Sequence, residues 1–190
     1  MNKTAFALLA AGCALAGCNN RADDNLAAND MMANDMAMND MAMNGADMNA
    51  AGATTADAAF VTEAMKGNNS EVAAGQMAIA QGGSQAVKDY GQMLVTDHGA
   101  ANDKLKAIAA SAGIPATDEL TEEAKANAAK MKDMTGPVFN AEFKRMAIAD
   151  HQKDIAKYEA QAKSSDAATA AYANETLPTL RKHLEAAQKL

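Results

Sequence analysis

From about Ala56 to Leu190 the apolar residues recur at intervals of three and four, and that periodicity confines this part of the chain to packed α-helices. Such spacing gathers side chains on one helix face, which must be buried against a neighbour. The second amphipathic stretch carries Val87, Tyr90, Leu94, Ala101, Leu105 and Ile108. The third carries Phe139, Phe143, Met146, Ala147 and Tyr158, and the last Leu177, Leu180, Leu184 and Ala187. All of these read as core. Hydrophobic residues make up 49% of the chain, much of it Ala, whereas aromatics reach only 4% and Trp is absent. That balance suits closely packed helices better than strands, which favour β-branched and aromatic residues.

Capping and breaking residues divide the stretches. The first runs from about Ala56 to Ala80, with a break expected at Gly67-Asn68-Asn69, where Ser70 can N-cap a second piece starting at Glu71. Gly82-Gly83-Ser84 is a stop followed by a cap, and the second helix ends near Ala112 at Gly113 and Pro115. A short acidic helix is predicted over Asp118–Met131 and a third long one over Val138–Lys163, separated by Thr135-Gly136-Pro137. Ser164-Ser165-Asp166 is the next turn, and the last helix runs on to the C-terminus with a kink predicted at Pro178. Short connections make neighbours antiparallel. The expected fold is therefore all-α: an up-down four-helix bundle with an additional short helix between the second and third long helices.

The N-terminal part obeys other rules. Met1-Asn2-Lys3 is a short positive start, and Thr4–Gly17 is an apolar run. The run is too short for a membrane-spanning helix, which needs roughly 20 residues. It reads as a signal peptide over residues 1–17. Leu15-Ala16-Gly17-Cys18 resembles a bacterial lipobox, which implies that Cys18 becomes the acylated N-terminus and that the lipid ties the protein to a membrane. Asn19, where an Asp would hint at inner-membrane retention, points to the outer membrane, facing the periplasm. The only cysteines are Cys13 and Cys18, so the mature domain offers no thiol for a disulfide, a nucleophile or a thiolate metal site.

Residues 18–55 lack periodicity and aromatics and are expected to form a disordered tether rich in Met, Asn and Asp. Asn34-Asp35-Met36-Ala37-Met38 repeats as Asn39-Asp40-Met41-Ala42-Met43. The tether is either a plain spacer or a Cu(I) site built from the thioethers of Met36, Met38, Met41 and Met43, since Cu(I) prefers sulfur.

A formal charge of −7 repels nucleic acid phosphates, which makes DNA or RNA an improbable partner. A Gly-rich phosphate loop and a Gly-x-Ser-x-Gly nucleophile motif are both missing from the sequence. Nothing in the sequence demands a cofactor, and a transition metal is the candidate that the polar residues suggest.

The three histidines, His98, His151 and His183, fall in three different helices, each three or four residues after an apolar position. That spacing sets every ring on or beside an inward face. Met93-Leu94-Val95-Thr96-Asp97-His98 parallels Met146-Ala147-Ile148-Ala149-Asp150-His151, with Tyr90 and Phe143 in equivalent upstream places, as an internal duplication would leave. On the first helix Phe60, Ala64, Glu71, Ala74 and Ala78 share core-like spacing, which turns Glu71 inward. Glu71, Asp97, His98, Asp150, His151 and His183 are thus candidates to converge. They would form either a structural hydrogen-bond network or a metal site, because imidazole and carboxylate suit Zn, Fe or Mn. Adjacent Asp and His residues point about 100° apart, so they cannot serve one ion equally.

Phe60, Ser70-Glu71-Val72 with Gly75, Val87-x-x-Tyr90-x-x-Met93 before Asp97-His98, Phe143 and Met146 before Asp150-His151, and Leu177-Pro178-x-Leu180-x-x-His183-Leu184 form a pattern. It resembles the bacterial family called domain of unknown function 4142, over about Ala58 to Leu190. The resemblance implies a ferritin-like bundle facing the bacterial envelope and brings no activity with it. The expectation is an exported, membrane-anchored lipoprotein, non-enzymatic and concerned with stress or surface maintenance. The alternative is a metal-binding or metal-handling protein.

Overall fold

A computed structural model describes residues 54–190; the proposed signal peptide, Cys18 and the methionine pairs at 36–43 lie outside the described residues. The described chain is all-helical: α1 Thr55–Gln81, α2 Gln85–Ala112, α3 Glu122–Met131, α4 Gly136–Gln161 and α5 Ala167–Gln188. Side-chain oxygens hold the free N–H groups of four helix starts: Thr54 accepts from Asp57, Ser84 from Val87, Thr121 from Ala124 and Asp166 from Thr169. Gly113 ends α2 in the left-handed region at φ 68°, where a side chain would be strained.

Two of these boundaries differ from the sequence reading. α1 runs unbroken through Gly67-Asn68-Asn69. Ser70 is not a cap there: its hydroxyl donates to the Lys66 carbonyl at 2.7 Å and accepts from Thr121 N at 3.0 Å. Asn69 donates to the Thr117 carbonyl at 3.0 Å. These polar side chains fasten the α2–α3 connection to α1, and that fastening outweighs their turn propensity. The same contacts delay α3 until Glu122. In α5 the helix continues through Pro178, whose ring sits on the exposed side, where water can satisfy the carbonyl it leaves free.

α1 packs against α2 and α4 against α5, with further contacts of α2 on α5 and α1 on α4. α1 and α2 approach so closely that a Cβ on Gly75 would lie 2.5 Å from the Gly91 carbonyl oxygen. The core comes in two apolar clusters. One contains Val61, Met65, Leu105, Tyr158, Tyr172 and Leu180. The other contains Ala78, Leu94, Phe139, Phe143, Met146, Ala147 and Ala187. Along each long helix a polar stretch separates them: Asn68 and Glu71 on α1, His98 on α2, His151 on α4 and His183 on α5, all buried.

Candidate metal centre

Helical spacing builds this layer. His98 follows Leu94 by one turn, His151 follows Ala147 by one turn, and His183 follows the buried Leu180 by three residues. The rings of His98, His151 and His183 are 3%, 0% and 0% exposed, so every ring nitrogen must find its partner inside the protein. One ligand nitrogen from each lies within 4.8 Å of the other two. Among the described residues no other group of three or more His, Cys, Asp or Glu side chains converges in this way.

The outer nitrogens are each held by an acceptor. His151 Nδ1 donates to the Ala147 carbonyl at 2.9 Å, one turn back on the same helix. His183 Nε2 donates to Asp97 Oδ2 at 2.9 Å, across from α5 to α2. His98 Nδ1 donates to Asn68 Oδ1 at 2.9 Å, and the Asn68 amide nitrogen in turn donates to the Tyr172 hydroxyl at 3.2 Å. A neutral imidazole has one N–H: the carbonyl and the carboxylate place it on His151 Nδ1 and His183 Nε2, and the orientation of the Asn68 amide places it on His98 Nδ1. His98 Nε2, His151 Nε2 and His183 Nδ1 are left as bare lone pairs. His151 Nε2 and His183 Nδ1 stand 3.3 Å apart, and His98 Nε2 is buried without a hydrogen-bond partner.

Electrostatics keeps the rings neutral. Burial, then the neighbouring His151 and His183, push His98 well below the ordinary imidazole range. Burial and His183 bring His151 down to about 4. Burial also lowers His183, against the opposing pull of Asp97. The inner lone pairs therefore stay available at neutral pH.

The carboxylates of the sequence reading do not enter the inner triangle. Asp97 orients His183 from outside. Glu71 Oε1 lies 3.9 Å from His151 Nδ1, on that ring's outer side, and burial holds its carboxyl well above the usual carboxylate range. Asp150 lines a separate cleft with Glu71, and burial raises it to about 6. The two parallel segments face each other: His98 meets His151 at 5.7 Å between ring centroids and Tyr90 meets Phe143 at 5.9 Å. Asn68, bonded to His98 and Tyr172, and the Tyr90 hydroxyl, buried without a hydrogen-bond partner, join the layer and were not singled out as site residues from sequence. Asn68 was legible only through its spacing, three residues before Glu71 on the same face.

These features define an all-helical bundle with a buried three-histidine centre. The family model described as domain of unknown function (DUF4142) matches residues 42–190, and the chain belongs to that family. Neither a curated protein nor a solved structure matches it.

Proposed function

We propose that this protein is a lipid-anchored envelope protein whose helical bundle binds one transition-metal ion through His98 Nε2, His151 Nε2 and His183 Nδ1. The observation that carries the reading is the tautomer geometry. Two bare nitrogens, His151 Nε2 and His183 Nδ1, stand 3.3 Å apart in a buried layer beside the unpartnered His98 Nε2, and a shared cation would relieve their repulsion. Zn–N bonds of about 2.0–2.1 Å at tetrahedral angles set nitrogens about 3.3 Å apart, the spacing of this pair. His98 would supply the third ligand, since one nitrogen of each ring lies within 4.8 Å of the other two. Three neutral imidazoles suit Zn(II), Cu(II), Ni(II) or Fe(II). The outer acceptors supply what metal-bound imidazoles ordinarily have: a carboxylate, a backbone carbonyl and an amide oxygen that orient each ring.

The rings are closed off from solvent, which supports binding and retention of an ion over rapid turnover of a substrate. The lipid anchor and a periplasm-facing, outer-membrane location rest on Leu15-Ala16-Gly17-Cys18 and Asn19. The short α1–α2 and α4–α5 connections support an up-down, ferritin-like arrangement of the four long helices, with α3 as the extra element.

The test is Zn(II) titration of tag-free, metal-stripped full-length protein against a competing chelator. One ion per chain is expected, lost in the His98→Ala, His151→Ala double variant. No uptake by the wild type, or equal uptake by the double variant, would leave only a structural network of histidines.

A further inference from the structure

A cleft of about 270 Å³ opens between α1, α3 and α4. It lies just below the roughly 300–1,000 Å³ of ordinary small-molecule pockets. None of the three histidine rings lines it. Five carboxylates do: Glu63, Glu71, Glu123, Asp150 and Asp154, against the two amines of Lys153 and Lys157. Lys153 is engaged by Glu123, and Lys157 lies 3.6 Å from Asp154. The carboxylates sit at graded depth: the side chain of Glu123 is 55% exposed, Asp150 24%, Asp154 22% and Glu71 only 7%. Glu71 Oε2 is buried with no hydrogen-bond partner, a state that costs free energy unless a donor arrives. Between the acids the wall is apolar, formed by Met77, Met131, Met146 and Leu120.

We propose that this cleft binds a small linear aliphatic amine carrying two or more ammonium groups. One ammonium group would donate to Glu71 at the floor, its charge drawing that carboxyl into the ionised form with release of the proton to solvent, and another would meet Asp154 and Glu123 nearer the mouth. The methylene segments between them would lie on the methionine wall, where unbranched thioether side chains adapt to a flexible ligand. Charge-assisted N–H···O bonds to carboxylates are among the stronger hydrogen bonds. A bare metal ion fits this cleft poorly. It needs oxygens drawn around one point, and among the described residues only the histidine trio brings its ligand atoms so close. A ligand with separated charges and an apolar body matches carboxylates spread along a partly apolar wall.

Spermidine is the probe, added to full-length protein by calorimetry at fixed ionic strength, with butylamine and Mg(II) as comparison ligands. Saturable binding of spermidine, weaker by at least tenfold for butylamine and absent for Mg(II), is the expected result. Glu71→Gln should weaken spermidine at least tenfold. Ala124→Leu, which fills the cleft from α3 and leaves every charge in place, should do the same. Zn(II) stoichiometry measured on the Ala124→Leu sample is expected to be unchanged, so the two sites can fail separately. Three results would overturn the proposal: no spermidine binding by the wild type, binding by either variant as tight as that of the wild type, or saturable displacement of spermidine by Mg(II).

Discussion

At one end of the bundle, buried Asp57 collects hydrogen bonds from side chains of three other segments; at the middle, three buried imidazoles turn unpaired nitrogens toward one another. Asp57 Oδ1 accepts from Gln161 at 2.6 Å, Ser164 at 2.7 Å and Thr169 at 3.3 Å, while Oδ2 receives the Thr54 hydroxyl. Those donors hold its carboxyl down at about 2, the Thr54 and Ser164 hydroxyls foremost. The knot joins the start of α1, the end of α4 and the start of α5, and it is complete with protein atoms alone. The histidine layer is complete only on its outside. A buried polar cluster that satisfies itself is explained by stability, whereas one that holds its outer ring nitrogens and leaves the inner ones bare is compatible with a bound metal ion.

The largest effect expected from breaking that contrast is at the ligands. His151→Ala should lower Zn(II) affinity by more than the roughly 100-fold that loss of an outer partner can cost, measured by chelator competition. Asp57→Ala should do the opposite: it should destabilise the apo protein by about 3 kcal/mol in urea unfolding, because several buried donors lose their acceptor, and leave Zn(II) stoichiometry unchanged. Asp97→Asn, which keeps shape but removes the charge behind His183, should weaken Zn(II) about 10- to 100-fold without unfolding the protein.

The smallest effect is in the acid range. The folded-state value of Asp57, about 2, lies below its ordinary value of 3.8, so the unfolded chain takes up this proton first as pH falls. Its stabilising contribution is full above that ordinary value and disappears as pH drops through 2. Asp57→Asn should therefore flatten the urea midpoint between pH 4 and pH 2. An unchanged slope would mean that the knot does not hold a carboxylate.

Much of this contrast could be read in the sequence, and the exceptions have physical causes. The helical positions of His98, His151 and His183 followed from apolar spacing, because burial on a helix is periodic. The inward turn of Glu71 followed from the same rule, although its place outside His151 did not, since periodicity gives the face and not the depth. Gly67-Asn68-Asn69 reads as a turn by composition, yet Asn68 is buried against His98 and Asn69 fastens the α2–α3 connection. Tertiary hydrogen bonds there override local propensity. Asp57 gave no signal because its four partners are spread from residue 54 to residue 169. The repeated Met-to-Asp-His segments read only as an internal duplication; in the fold their histidines face each other, while their aspartates diverge, Asp97 to His183 and Asp150 to the cleft.

The chain has only three histidines, so an ¹⁵N-resolved imidazole spectrum of the metal-free protein contains six ring nitrogens and no others. Protons are expected on His98 Nδ1, His151 Nδ1 and His183 Nε2, and stoichiometric Zn(II) should shift chiefly the three bare nitrogens, two of type ε and one of type δ. A proton on any inward nitrogen of the metal-free protein, or a spectrum that Zn(II) leaves unchanged, would contradict the account.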